Sequence, residues 1–515
     1  MKTPRTSFLR NFIYVSGASY IEYAIGFAVS IVIARSLGPN EFGKYTFAIW
    51  LSGQLLLLAT NGIANNLLKF AGEAVGANKC GQLIGIKRWH ETVALFCCCA
   101  VVAGLLIFAQ LAPPSIAATL TISNLVLIVL AVIFRVYYRL DVAFAQAVGD
   151  FEIASKIQSL GAVCLLGTMM ACAFFKAEAH AFFSVFVGVS FLQFAVLKAL
   201  VIRKLSLTKT KLEINADRVL EFRTNLFYGA PFTLVAVCTW GAPEMLFLKN
   251  LGSNEIVAFF SISLTVAKAT SELCVGALGA MINSSFANEM GENGSQGVAK
   301  IIERVLPYFI IFALAGSVIG TLGTPHLITL GFGSKYIAAI PAIHVMVAAI
   351  FLYAVTIPFS AAQLIGNKPK HRLVMAAACA ALNILLSYFL VHRYGLIGGA
   401  IGYSCNLALY GILCFFVSKN EFSFSLDNKW IAKIFMLWIA SITIAYLFFV
   451  PDTTGKAIGF CIIFLAIFLC ILIKFHFLPQ ITETEEMPII SANTKLVRRK
   501  FALTWSFIRK IFRRQ

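Results

Sequence analysis

The chain has 515 residues, 59% hydrophobic and only 13% charged, against roughly 45–50% and 25% in a soluble domain. A water-soluble fold could not hide so much apolar side chain, and apolar runs of about twenty residues recur from one end to the other. A net charge of +19 would suit a nucleic-acid binder only if the charges formed one patch; they fall instead in the gaps between apolar runs, where they report membrane topology.

In hydrocarbon every backbone polar group must be bonded internally, which runs of this length achieve as helices. The predicted fold is an all-α polytopic membrane protein of about fourteen transmembrane helices. The first expected span, 12–34, follows Lys2, Arg5 and Arg10 as a signal peptide would, but it is too long for one and carries Glu22. It reads as an uncleaved helix. Arg35 in its last turn, Gly38 suited to a left-handed cap and Pro39 just beyond form a stop signal. Spans follow at 45–68, 91–111, 116–138, 153–174 and 180–202. Cys97, Cys98 and Cys99 fall inside one of them, and no paired Cys-x-x-Cys ligand set occurs, so no metal is expected.

A long basic loop, 203–224, precedes spans at 225–248, 256–285, 304–323, 337–363, 373–391 and 397–417. Pro231, Gly241 and Pro243 in the seventh and Pro358 in the tenth should kink their helices. Gly395, Gly398 and Gly399 suit a tight turn and close packing before the twelfth. Two more spans, 430–450 and 457–478, lead past an acidic stretch to a tail in which Val497, Phe501, Trp505, Ile508 and Phe512 recur among Arg498, Arg499, Lys500, Arg509, Lys510, Arg513 and Arg514. That tail is expected to lie as an amphipathic helix on an anionic inner leaflet, as an anchor or as a docking site for a partner enzyme. Of the 42 Lys and Arg residues, 34 fall on one side and 7 on the other, with Lys268 within a span. The richer side should be cytoplasmic, which puts both termini inside.

Asn11, Tyr14, Leu37, Gly38, Asn40 and Glu41 match Asn225, Tyr228, Leu251, Gly252, Asn254 and Glu255 at a constant offset of 214 residues, and further matches follow downstream. The division expected is an N-lobe at 1–215, a homologous C-lobe at 216–418, two more spans at 419–478 and the tail at 479–515. Two like-oriented six-helix lobes with a cleft between them are transporter architecture, with the substrate site near mid-membrane.

The segment from Arg35 through Gly38, Pro39, Asn40, Glu41, Phe42 and Gly43 to Tyr45, together with Gln363 to Pro369, Asn383 and Gly395 to Ala400, resembles the polysaccharide flippases of the multidrug/oligosaccharidyl-lipid/polysaccharide exporter superfamily. The basic tail is a departure from that pattern. The resemblance implies a flippase in the bacterial cytoplasmic membrane. It would carry undecaprenyl-diphosphate-linked oligosaccharide units of O-antigen, capsule or a related glycan from inner to outer leaflet, with no cofactor and no nucleic-acid partner.

A glycan diphosphate requires a hydrated, partly cationic cavity, so charges inside spans are the candidate site. Each costs about 2.5–3.5 kcal/mol at the bilayer centre, so none should face lipid. Lys268 and Glu272, four apart on one helix face, are expected to pair and line the cavity, with Lys268 the leading candidate for the diphosphate or a sugar acid. Glu22, Glu272 and Glu244 are candidates for H⁺ or Na⁺ coupling. Arg135 and Arg139, with Asp141, are placed at the inner end of the fourth span and Arg35 and Lys249 at outer ends. Headgroup snorkelling is their ordinary reading and substrate contact the sharper one. The rival functions are a multidrug exporter with an acidic cavity, a membrane glycan polymerase or glycosyltransferase, and a scaffold recruiting glycan-assembly enzymes through the tail. No large loop is available to hold acid, base or diphosphate groups at an aqueous face, which weighs against an enzyme.

Overall fold

The computed structural model describes residues 5–60, 62–76, 80–206, 216–251, 253–272, 277–365 and 369–424, with isolated positions at 436, 439, 440 and 443. The expected thirteenth and fourteenth spans and the basic tail lie outside the described residues. Every element among those described is helical. Seven helical stretches are long and apolar enough to cross a membrane, and three of them, Tyr20–Thr60, Asn293–Phe332 and Leu373–Phe422, contain a glycine break. The protein is an all-α, multi-pass membrane protein.

The first group of helices is α1 (Arg5–Thr60), α2 (Ile63–Gly76), α3 (Leu83–Leu111), the short α4 (Pro114–Ala117), α5 (Ile122–Ala147), α6 (Phe151–Phe174) and α7 (Ala179–Ser206). The second is α8 (Ala216–Trp240), α9 (Glu244–Asn250), α10 (Asn254–Ser271), α11 (Ala277–Leu327), α12 (Ile340–Ile365) and α13 (Pro369–Phe422). Within the first group α1 packs on α5 and α6, and α5 on α7; within the second α12 packs on α10, α11 and α13. The bundles meet chiefly along α1 and α10, with further contact from α8 to α1 and α2.

Local sequence explains the boundaries. At the expected stop signal Gly38 takes φ 70° and ψ 173°, a fully extended left-handed region open only to glycine, and Pro39 then starts the next helical arm. The Thr121, Asp150 and Ser253 side chains accept from the backbone N–H three residues on, at 3.4 Å each, and so start α5, α6 and α10. The cap at Thr121 changes one expectation. The fourth span was placed at 116–138, but α5 runs from Ile122 to Ala147, which moves Arg135 from the end of a helix to its middle.

Two apolar cores fill the molecule. One runs without interruption through the first bundle into α10, the start of α12 and the second arm of α13; the other is confined to the second bundle, among 282–322, 354–379 and 410–424. The bundles meet at both ends of this core: Phe222 of α8 packs on Phe70 at the basic end, and a second set of contacts forms at the end that carries Gly38. There the Tyr336 hydroxyl donates to the Ala34 carbonyl (2.8 Å), and Phe332 and Tyr336 meet Phe27 and Phe42 edge-on at 5.8 and 6.1 Å. The Asn254 amide donates to the Asn40 side-chain oxygen at 2.8 Å, and these two residues stand 214 apart, the repeat offset.

Candidate functional site

The charges singled out within the spans converge between the bundles. Glu22 on α1 is exposed, accepts a hydrogen bond from the Gln158 amide of α6, and stands within electrostatic range of Arg135, Tyr138 and Arg139 on α5. Its neighbour Tyr23 has its hydroxyl within hydrogen-bonding reach of Glu272, across the interface at the end of α10. Lys268, one turn earlier on the same face, interacts with Glu272 and with Glu244. It is exposed although Glu244, on its other side, has no accessible surface. The accessible surface of Lys268 lies beside Glu272, which reaches across the interface to Tyr23. The expected close pair does not form: no carboxylate lies within 4.0 Å of the Lys268 ammonium among the described residues, because Glu272 turns toward Tyr23.

Arg135 and Arg139 both lie on this side. The Arg135 guanidinium stacks 5.1 Å from the Phe186 ring of α7, which fixes its plane, and Arg139, one turn on, is exposed. Arg135 is therefore no headgroup snorkeller at a helix end. Three cations, Arg135, Arg139 and Lys268, and the carboxylates of Glu22 and Glu272 thus gather about α1 at the interface.

Glu244 belongs to a second, deeper cluster. Helix α8 ends at Trp240, the chain breaks through Gly241, Ala242 (φ 54°) and Pro243, and α9 begins at Glu244. The kink expected from Gly241 and Pro243 is thus a complete interruption, and it frees carbonyls that other helices satisfy. Asn383 donates to Cys238 (3.0 Å), Asn406 to Thr239 (2.5 Å) and the Trp50 indole to Gly241 (2.6 Å). Glu244 itself has 0% exposure and accepts from the Ser387 hydroxyl at 2.8 Å. Its second oxygen, Oε2, and the Asn406 side-chain oxygen have no hydrogen-bond partner. Unpartnered oxygens beside a helix break are a cation-binding arrangement in membrane transporters. No group of three or more His, Cys, Asp or Glu able to hold a metal ion occurs among the described residues.

Two expected substrate contacts are occupied otherwise. The Arg35 Nε donates to the Gly331 carbonyl (2.6 Å) and another guanidinium nitrogen to the Leu330 carbonyl, so this side chain caps the π-helical turn Ile328–Phe332 of the opposite bundle. Lys249 is 3% exposed, donates to Asn254 and lies 5.5 Å over the Phe47 ring. Both are interface fasteners at the Gly38 end, where carbonyl and amide oxygens have taken their donors.

Asp141 also departs from its expected place at a headgroup. It is fully buried, 2.6 Å from Lys87, which also pairs with Glu91 at 2.5 Å; Lys198 completes the set on Glu91. The four charges tie α3, α5 and α7 together. Asp141→Asn should leave Lys87 held by Glu91 alone and cost about 1–3 kcal/mol of stability. Thermal unfolding in detergent would read this as a lowered midpoint, and an unchanged one would show that the network contributes nothing.

No known family model matches the chain. The curated "Putative O-antigen transporter" of Shigella flexneri is 24% identical over 417 residues, spanning 76% of this chain and 94% of that protein. Among solved structures, the lipid II flippase MurJ in an inward closed conformation superposes with a TM-score of 0.69 at 14% identity, covering 90% of this chain and 99% of its own. An inward-facing multidrug resistance MATE transporter of the MOP superfamily gives 0.63 at 12% identity, covering 78% and 94%. The chain shares the fold of these solved transporters. On that frame α1, α5 and α10 bring Glu22, Arg135 and Lys268 toward the interface between the bundles.

Proposed function

We propose that this transporter flips polyprenyl-diphosphate-linked oligosaccharide units, of the O-antigen or capsule kind, from the inner to the outer leaflet of the bacterial cytoplasmic membrane. The observation that carries this reading is the set of charges gathered about α1, which we take to line a cleft between the bundles: three cations, Arg135, Arg139 and Lys268, where an exporter of organic cations would need carboxylates in excess. The match to the Shigella O-antigen transporter points the same way. With the Lys- and Arg-rich end taken as cytoplasmic, the contacts at the Gly38 end close the outer side, and the contacts of Phe222 and Arg218 on α8 with α2 are those that would part to admit cargo from inside. The two lobes, 1–215 and 216–418, would rock about the Asn40–Asn254 contact.

The test is reconstitution of the full chain into vesicles with a fluorescent polyprenyl-diphosphate oligosaccharide in one leaflet. Transfer to the other leaflet, faster under an imposed H⁺ or Na⁺ gradient, is expected. Efflux of an organic cation with the lipid-linked glycan left in place would replace this reading by the multidrug one.

Coupling is assigned to the Glu244 cluster in preference to Glu22 or Glu272. Glu244 alone of the three is fully enclosed, has an unpartnered oxygen and sits at a helix break. Glu244→Gln keeps the Ser387 hydrogen bond and removes the charge, so flipping should continue at its basal rate but lose its response to the gradient. A full response in this variant would return the role to Glu22 and Glu272.

A further inference from the structure

A groove of about 620 Å³ opens on the lipid-facing side of the molecule at its basic end, walled by α3 of one bundle and α8 of the other. Trp89, Thr92 and Phe96 contribute from α3, and Arg223, Leu226 and Phe227 from α8. Its walls are apolar and unusually bare: Phe96 is 70% and Phe227 74% exposed. Arg223, the one charged residue lining it, is exposed and forms no ion pair among the described residues. Arg223 and Trp89 each stand about two turns from the start of their helices, where membrane proteins place interfacial aromatics and cations. Phe96 lies seven residues beyond Trp89, about 10 Å deeper.

We propose that this groove seats one phospholipid of the leaflet at the basic end, with its phosphate on Arg223 and an acyl chain along Trp89, Phe96 and Phe227. A cation at headgroup depth above a slot lined with aromatics matches that chemistry, a single negative phosphate above a hydrocarbon chain. The glycan carrier fits less well. The back of the groove is shut: Phe222 is fully buried, its ring 4.5 Å from Phe70 and 5.1 Å from Trp89, and its carbonyl accepts from the Asn66 amide at 3.2 Å. None of Glu22, Arg135 or Lys268 lines the groove, so a diphosphate seated there would not meet them. The occupant is a lipid that stays in the membrane. Because its two walls belong to different bundles, it binds the arrangement in which Phe222 closes on Trp89 and stabilises that arrangement by mass action.

The experiment uses the purified full chain with phosphatidylglycerol carrying a photo-activatable diazirine in one acyl chain, and maps the adducts by mass spectrometry. Adducts should concentrate on 89–97 and 223–227, and a diacylglycerol probe of the same chain length should label these peptides several-fold less. Arg223→Ala should lower phosphatidylglycerol labelling there about five-fold, and Arg223→Lys should restore most of it. Labelling spread evenly over all lipid-facing helices, or equal labelling by diacylglycerol, would overturn the proposal. So would displacement of the probe by undecaprenyl diphosphate at concentrations where unlabelled phosphatidylglycerol does nothing, which would make the groove a carrier site.

Discussion

Replacing Lys268 by Met should abolish export of surface polysaccharide, at least tenfold below wild type, while the protein still reaches the membrane in normal amount. Met keeps the length and apolar stem of the side chain, so what is lost is the charge. A cation in a low-dielectric cleft, free of any close carboxylate, is available to a diphosphate in a way that a neutralised one is not. Its loss removes both the attraction and the counter-charge to Glu244 and Glu272, two carboxylates left facing an anion. Lys268→Arg should retain part of the activity, since guanidinium also binds phosphate but is larger and planar. Gel analysis of surface glycan beside a membrane-fraction immunoblot checks both. Normal glycan in Lys268→Met would remove this residue from the site and, with it, the strongest reason to prefer an anionic cargo.

What the sequence made legible was what a charge inside an apolar run must do. Glu22, Lys268 and Glu272 were found because hydrocarbon forbids them a lipid-facing place, and the helical interval of four put the latter two on one face. The stop at Gly38 and Pro39 was likewise written locally, although the glycine adopts an extended left-handed conformation in place of the helical one. Arg135 lies deeper in its helix than hydropathy suggests, for a definite reason. Hydropathy ends a span where charges begin, but a helix can run on through Arg139 and Asp141 when other helices satisfy them.

Partners supplied from a distance left no local trace. Tyr23 bridging to Glu272, Gln158 on Glu22, and Ser387, Asn383 and Asn406 around the α8 break are neutral polar residues, common enough in spans that nothing marks them out. A paired signal existed for two of them: Asn383 and Ser387 are four apart, which puts both on one helix face at the α8 break, Ser387 on Glu244 and Asn383 on the Cys238 carbonyl. Arg35 and Lys249 show the converse. Their position at helix ends suggested contact with headgroups or cargo, and only the three-dimensional arrangement reveals that carbonyls and an asparagine of neighbouring segments already hold them.

Gly43→Val should be as damaging as the loss of Lys268, by a different route. A Cβ at this position would stand 1.9 Å from the backbone oxygen of Asn254, so even one methyl group forces α1 and α10 apart at the Gly38 end. Side chains can rotate away from such a clash, but the first turn of a helix cannot. The displacement should break the Asn254–Asn40 bond and loosen the Lys249 and Tyr336 contacts beside it, since all of them depend on the same close approach. Transport needs that contact to form and release in turn, so a chain unable to close there should export little glycan. The structural consequence can be read separately from function: in an Asn254→Cys background, Gly43→Val should raise the rate at which a membrane-impermeant maleimide reacts from the outside. If the rate stayed as slow as in the Asn254→Cys protein, the Gly38 end would be held by something other than this contact, and the closed outer side would need another explanation.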